Sequence, residues 1–234
     1  MTSGTYELFP DEARTKAMRA AAVRALGHVE PGSLLGVGTG ATVAQFIDVL
    51  ASSDRCPGEA VASSRRTAHL LLAAGIDVVP LPDSGRVPLY IDGADKVDPM
   101  LRLIKGGGGA HAREKVLACA ADLFVCIVDE AKVVPALGGG PVPVEVLPFA
   151  RHWVARRLSE IGARAVPRVE VVTDNGNEVL DVYGLDLADP GSVECSIACI
   201  PGVVACGIFA LRSADIVYAG DASGAVVEMR PPTR

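Results

Sequence analysis

Apolar and polar positions change their period along the chain. Over residues 11–29 small apolar residues recur at helical spacing among scattered Lys and Arg, which predicts an amphipathic helix broken by Pro31-Gly32. A short apolar run, SLLGV (33–37), predicts a strand. The glycine loop GVGTGAT (36–42) follows, and VAQFIDVL reads as the next helix. The alternation then repeats. It gives strand EAVASS (59–64), helix RTAHLLLAAG ended by Gly75, strand IDVVPL (76–81), strand VPLYIDGAD (87–95), helix AREKVLACAA (112–121) and strand LFVCIVDE (123–130). Strands alternating with helices predict an α/β fold, a mostly parallel sheet with helices on both faces.

The pattern changes at GGGPVPVEVLP (138–148), where Pro and Gly crowd as at a domain boundary. Beyond it come a helix, FARHWVARRLSEIG, and two alternating strands around Asn175-Gly176, a strong hairpin signal. Helix SVECSIACI and strand GVVACGIFA complete a small α+β unit. The closing ADIVYAGDASGAVVEM (214–229) reads as a hairpin returning to the first unit. The expected division is therefore 1–138 with 213–234, and 139–212. Trp153 is expected in the core at the junction.

Composition narrows the class. Aromatics are only 4% of the 234 residues, so the core must be built from small aliphatics. The net charge of −6 argues against nucleic acid as partner, which needs a basic face. No apolar run reaches the ~18 residues of a membrane span, and the opening MTSGTYELFPDEARTK has no apolar signal core; a cytoplasmic protein without a membrane partner is expected. The six cysteines form no CxxC pair and read as ordinary buried thiols.

In open parallel sheets ligands bind beyond the carboxyl ends of the strands. Three loops lie at such ends. GVGTGAT, leading into a helix, aims backbone N–H groups and the helix dipole at an anion, with Thr39 and Thr42 adding hydroxyls. It also matches a dinucleotide fingerprint; the second strand ends in Ser63-Ser64-Arg65-Arg66 without a ribose-binding acid, although the arginines could meet a 2′-phosphate, which leaves an NADP-dependent oxidoreductase as a further alternative. A tight strand–helix turn is the plain alternative. DGAD (92–95) offers Asp92 and Asp95 to one cavity, or a helix cap. KGGGGAHAREK (105–115) sets four glycines between Lys105 and the segment carrying Glu114. Glycine costs roughly 0.5–1 kcal/mol relative to alanine in a regular element, so bare backbone must be needed there. Consecutive amides line anion sites; a loose loop with a surface Glu–Lys pair is the alternative. Lys132 adds a cation after the fifth strand. His111 and Glu114 form H-x-x-E, but no third ligand is evident, so no metal is expected. Together the groups suit proton transfer next to a carbonyl on a phosphorylated substrate.

At these residues the chain resembles the type A ribose-5-phosphate isomerase family. GVGTGAT, YIDGADKVDP, LIKGGGGAHAREK, IVDEAK, PVPVEVLPFA, VTDNGNEVLDV and IPGVVACGIFA occur in family order and cover about 15 to 225. The resemblance implies a Rossmann-like larger domain, a smaller ferredoxin-like α+β domain, and a homodimer or homotetramer. It implies interconversion of ribose 5-phosphate and ribulose 5-phosphate without metal or cofactor. The family's base falls on Glu114. Ring opening falls on Asp92, Asp95 and Lys105. Substrate contacts fall on Thr39, Gly40, Ala41 and Thr42, on Asp92, Gly93, Ala94 and Asp95, on Lys105, Gly106, Gly107 and Gly108, and on Lys132. Two departures stand out: Ala41 replaces the usual serine, and Lys96 replaces a glutamate, flipping a charge beside the site. Arg65, where an acid is common, leans the same way. A paralogue acting on a related sugar phosphate, or a non-catalytic sugar-phosphate sensor, is the alternative these changes keep open.

Overall fold

The structure is a computed structural model that describes residues 12–231. Residues 1–11, most of the opening stretch read for targeting together with the first residue of the expected helix, lie outside the described residues. Helix α1 (Glu12–Leu26) turns Ala17, Met18, Ala21, Ala22 and Ala25 inward. Strand β1 (Leu34–Val37) leads into α2 (Ala41–Ala51), and β2 (Glu59–Ala62) into α3 (Arg65–Ala73). The Ser64 side chain caps α3 by accepting from the Thr67 N–H. Next come β3 (Val87–Asp92), the short β4 (Lys96–Val97) and β5 (Leu103–Ile104), α4 (His111–Ala120) and β6 (Ala121–Asp129).

The expected strand at 76–81 does not extend. It makes one bridge, Val78 to Ala60, with Ala60 N–H to Asp77 O and Val79 N–H to Ala60 O. Pro80 and Pro82 then remove the donors a longer ladder needs.

The second half holds β7 (Val142–Val146), α5 (Arg151–Glu160), β8 (Arg164–Pro167), β9 (Glu178–Tyr183), α6 (Pro190–Ala198) and β10 (Val203–Cys206). Then follow β11 (Ile208–Phe209), β12 (Ile216–Gly220) and β13 (Val226–Met229). The Pro-Gly boundary thus contains a strand, β7, with Val142, Val144 and Val146 all buried. The expected single strand at 202–210 is two, parted at Gly207.

The hairpin is also shifted. β9 pairs with β8, upstream of the expected partner, and 168–177 form a loop. Buried Glu145 is the cause. Its Oε1 accepts from Thr173 Oγ1, Asn175 Nδ2 and Asn177 Nδ2, which pulls these side chains inward as a polar turn.

The larger sheet has order β13-β12-β6-β3-β1-β2, parallel except for β13. Alternate strand residues fill two cores. Leu35, Val37, Ile91 and Ile127 pack with α1 and α2, and Tyr90, Phe124, Cys126 and Val128 with α4. The final hairpin does return to this sheet, through β12 beside β6. The smaller sheet, order β10-β7-β9-β8, is antiparallel, with β-α-β-β-α-β connection, the ferredoxin-like arrangement. β11, β5 and β4 form a third short sheet.

Two expectations about single residues fail. Trp153 is 43% exposed, because α5 buries Val154 and Leu158 instead; the Arg156 guanidinium lies over its ring. Only Cys126 and Cys206 are buried, while Cys56, Cys119, Cys195 and Cys199 are exposed. Among the described residues no helix is long and apolar enough to cross a membrane.

Candidate active site

β1 and β3 are neighbours from which the chain crosses in opposite directions, a switch point where open sheets leave a crevice. A cleft of about 670 Å³ opens there. Its walls are the Thr39–Val43 turn after β1, Gly93–Asp95 after β3, Lys105–Gly108, Glu114 on α4, and Lys132 after β6. The first-turn amides of α2 have no intrahelical acceptor and open on this cleft.

Lys105 is the floor. Its Nζ lies 2.7 Å from Asp92 Oδ2 and 3.2 Å from Glu114 Oε2, and it donates to Gly93 O. Lys105 and Glu114 are buried, 2% and 4% exposed. Asp92 lies beneath them, with every oxygen engaged. Oδ1 accepts from the N–H groups of Thr39 (3.0 Å) and Gly93 (2.7 Å), and Oδ2 also accepts from Tyr90 OH. Asp95 faces the cleft, and its Oδ2 accepts from Gly107 N–H at 2.8 Å.

The charges tune each other. Burial pushes the Glu114 carboxyl up, Asp92 adds to the push and Lys105 opposes it; the outcome is about 8. Burial alone would lower the Lys105 ammonium, but Asp92 and Glu114 outweigh it and raise it above the ordinary lysine range. Burial and Asp92 push the Tyr90 phenol well up, so it stays a neutral donor. A basic carboxylate beside a fixed cation is equipped to take a proton from carbon and stabilise the resulting oxyanion.

Of the residues picked out in the sequence, Thr39–Thr42, Gly93–Asp95, Lys105–Gly108, Glu114 and Lys132 line the cleft. Asp92 does not line the cleft; it holds Lys105 from behind. The Thr39 hydroxyl turns away, to Ser63, Ser64 and Thr67, leaving its backbone at the cleft. His111 and Glu114 part company: His111 is wholly buried against Ala205 O and Glu145 N–H, and burial lowers its pKa to about 3. Lys96 does not line the cleft. Its Nζ donates to Gly138 O, because the 138–140 loop folds over it. Arg65 lies away from the cleft at the start of α3, its backbone N–H donating to Asp174 Oδ2.

Sequence reasoning missed Arg14, Met18 and Asp129, which also line the cleft, with Arg14 Nε 3.2 Å from Asp129 Oδ2. Asp129 lay in the quoted IVDEAK; nothing in the pattern of α1 marked Arg14. Among the described residues no group of three His, Cys, Asp or Glu is placed to hold a metal ion.

Fold and site together define an α/β protein with a buried lysine–carboxylate pair at the floor of a polar cleft. Residues 59–224 match the family model described as ribose 5-phosphate isomerase A (phosphoriboisomerase A). The chain is 50% identical to ribose-5-phosphate isomerase A of Acidithiobacillus ferrooxidans over 89% of its length and 95% of that protein. It is 47% identical to the Stenotrophomonas maltophilia protein of the same name, over 88% and 96%. Of solved structures, ribose 5 phosphate isomerase A from Neisseria gonorrhoeae superposes with a TM-score of 0.91 at 39% identity, covering 94% of this chain and 98% of that one. A D-ribose-5-phosphate isomerase in complex with phospho-erythronic acid gives 0.85 at 36% identity, covering 91% and 97%. The chain belongs to the ribose 5-phosphate isomerase A family.

Proposed function

We propose that the protein interconverts D-ribose 5-phosphate and D-ribulose 5-phosphate through an enediolate, as a step of the non-oxidative pentose phosphate pathway. The observation that carries this is the buried Lys105–Glu114 pair, 3.2 Å apart, beneath a cleft open to backbone amides. Glu114 takes the C2 proton of the open-chain aldose as the C1 carbonyl becomes an enediolate oxygen. It returns the proton to C1 as C2 becomes the carbonyl, and the hydroxyl proton moves from O2 to O1. Lys105 and the Gly106–Gly108 backbone hold the two oxygens. Asp95, facing the cleft beside Lys105, serves ring opening, and Asp92 keeps Lys105 in place. The Thr39–Thr42 backbone, the Thr42 hydroxyl and Lys132 hold the phosphate.

Neither metal nor nucleotide is needed in this scheme. The protein works in the cytoplasm without nucleic acid or membrane. Its units are 1–138 with 213–234, and 139–212, which follows the membership of the two larger sheets. A homodimer or homotetramer is favoured by the fully exposed Phe149 with half-exposed Leu147 and Trp153 beside it.

The test is incubation of the purified protein with ribose 5-phosphate in deuterated water after exhaustive chelation. Ketose should form, and recovered aldose should carry deuterium at C2. Absence of both would refute the reading. Activity restored by a single divalent ion would replace proton transfer with a metal-assisted hydride shift.

A further inference from the structure

The glycine stretch has two sides. Gly107 N–H donates to Asp95 Oδ2 at 2.8 Å. A planar trans peptide sets C=O and N–H antiparallel, so the Gly106 carbonyl points away from Asp95. There it meets Arg168, whose Nη1 donates to Gly106 O and Gly107 O at 3.0 Å each. The same rule turns the Gly108 N–H away from Arg168, on the exposed residue that lines the cleft. Arg168 directly follows β8. Its backbone N–H bonds Val179 O, and Asp181 of β9 holds its guanidinium through Nε (3.0 Å) and Nη2. Both side chains are largely buried, 14% and 19% exposed.

The smaller sheet thus sends a braced fork behind the cleft of the larger one. Building on the isomerase reading, we infer that Arg168 is a positioning residue for the reaction. Through two carbonyls it aims the Gly107 amide at Asp95 and the Gly108 amide at an enediolate oxygen, and it polarises both peptides. It touches no substrate atom. Without it, residues with glycine's backbone freedom lose the bonds that choose their orientation. The phosphate grip at Thr39–Thr42 and Lys132 is untouched.

Arg168→Ala should therefore lower kcat by about 10–100-fold, somewhat less than deleting an oxyanion donor outright, with KM within about threefold. Two ligands separate positioning from general loosening. Phospho-erythronic acid carries a carboxylate with two oxygens, like the enediolate; inorganic phosphate fills only the phosphate end. The variant should bind the first at least about tenfold more weakly and the second unchanged. Arg168→Lys, which keeps a cation for the carbonyls but not the fork, should recover part of kcat. Wild-type turnover is measured alongside. If it is absent, the isomerase reading itself fails. If it is present, a variant kcat within threefold of it, or equal weakening of both ligands, overturns the role of Arg168. Should Arg168→Ala not fold, Asp181→Asn is read the same way, with kcat down about 3–10-fold; a kcat within twofold then overturns the role.

Discussion

Gly38 and Asp92 are packed so closely that a Cβ on Gly38 would lie 1.8 Å from Asp92 Oδ1. The strand end after β1 can only pass over this buried carboxylate as bare backbone. That pass puts the Thr39 N–H on Oδ1 and leaves Oδ2 for Lys105 and Tyr90.

Gly38→Ala is expected to push Asp92 aside and release Lys105. Overpacking of this kind costs about 1–3 kcal/mol of stability. The larger effect should be on catalysis, a loss of about 10²-fold or more in kcat, since small misplacements at a reacting centre have that consequence. Steady-state kinetics and a thermal melt check it. A variant with wild-type kcat would show that Asp92 need not hold Lys105.

Glu114, the proposed base, should titrate far from the ordinary carboxylate value of 4.5, because burial and Asp92 push it up to about 8. A base acts deprotonated, so kcat/KM should fall as pH drops below about 8. Neighbours give the sign. Lys105 opposes the rise, so the residual activity of Lys105→Met should show its acid limb at higher pH. Asp95 adds to the rise, so Asp95→Asn should move the limb down. Profiles of kcat/KM against pH for the three proteins decide it. Limbs that do not move in these opposite senses would assign the titration to another group.

The alternation of strand and helix was legible because β1, β3 and β6 are short apolar runs between clear breakers. The site was legible for a different reason. Its parts fall at strand ends, and glycines such as Gly106 (φ 106°), where a Cβ would come within 2.8 Å of His111, leave visible gaps in the pattern. What stayed hidden depends on distant partners. β7 hid in a Pro-Gly stretch because its support comes from β9 and β10 on either side. The 168–177 loop mimicked a strand until Glu145 drew its polar side chains inward. Arg14 and Arg168 reach the site region across more than sixty residues of sequence, which no local period records.

Lys96 and Ala41 separate two explanations of the chain's departures from the family pattern. Lys96 is tied to Gly138 O and does not line the cleft. Lys96→Glu should thus leave the kcat/KM ratio between ribose 5-phosphate and other pentose phosphates unchanged, while costing about 1–2 kcal/mol of stability through the lost bond. A changed ratio would mean the charge reaches the substrate after all.

Ala41 opens α2 at the cleft wall. Ala41→Ser adds a hydroxyl to the proposed phosphate grip. About 1 kcal/mol is expected from it, equivalent to roughly fivefold in KM, with kcat unchanged if the bond forms equally in ground and transition states. An unchanged or raised KM would move the phosphate elsewhere.

Glu114→Gln joins mechanism to stability. The amide keeps the shape but accepts no proton, so kcat should fall by about 10²–10⁴-fold. Phospho-erythronic acid should still bind within about tenfold, 1.4 kcal/mol. Deuterium exchange into recovered substrate should fall with turnover. Stability should move the other way. Glu114 holds its proton more tightly folded, at about 8, than unfolded, near 4.5. Its contribution to stability is therefore fully present below 4.5 and is lost as pH rises through about 8. Glutamine loses nothing over that range, and Lys105 keeps Asp92 as partner. The variant should melt with the wild type near pH 4.5 and above it at pH 8.5. A gap that shrinks as pH rises would mean that Glu114 is ionised and fully paired with Lys105 in the free protein. A glutamine variant that still exchanges deuterium at the wild-type rate would transfer the base to Asp95.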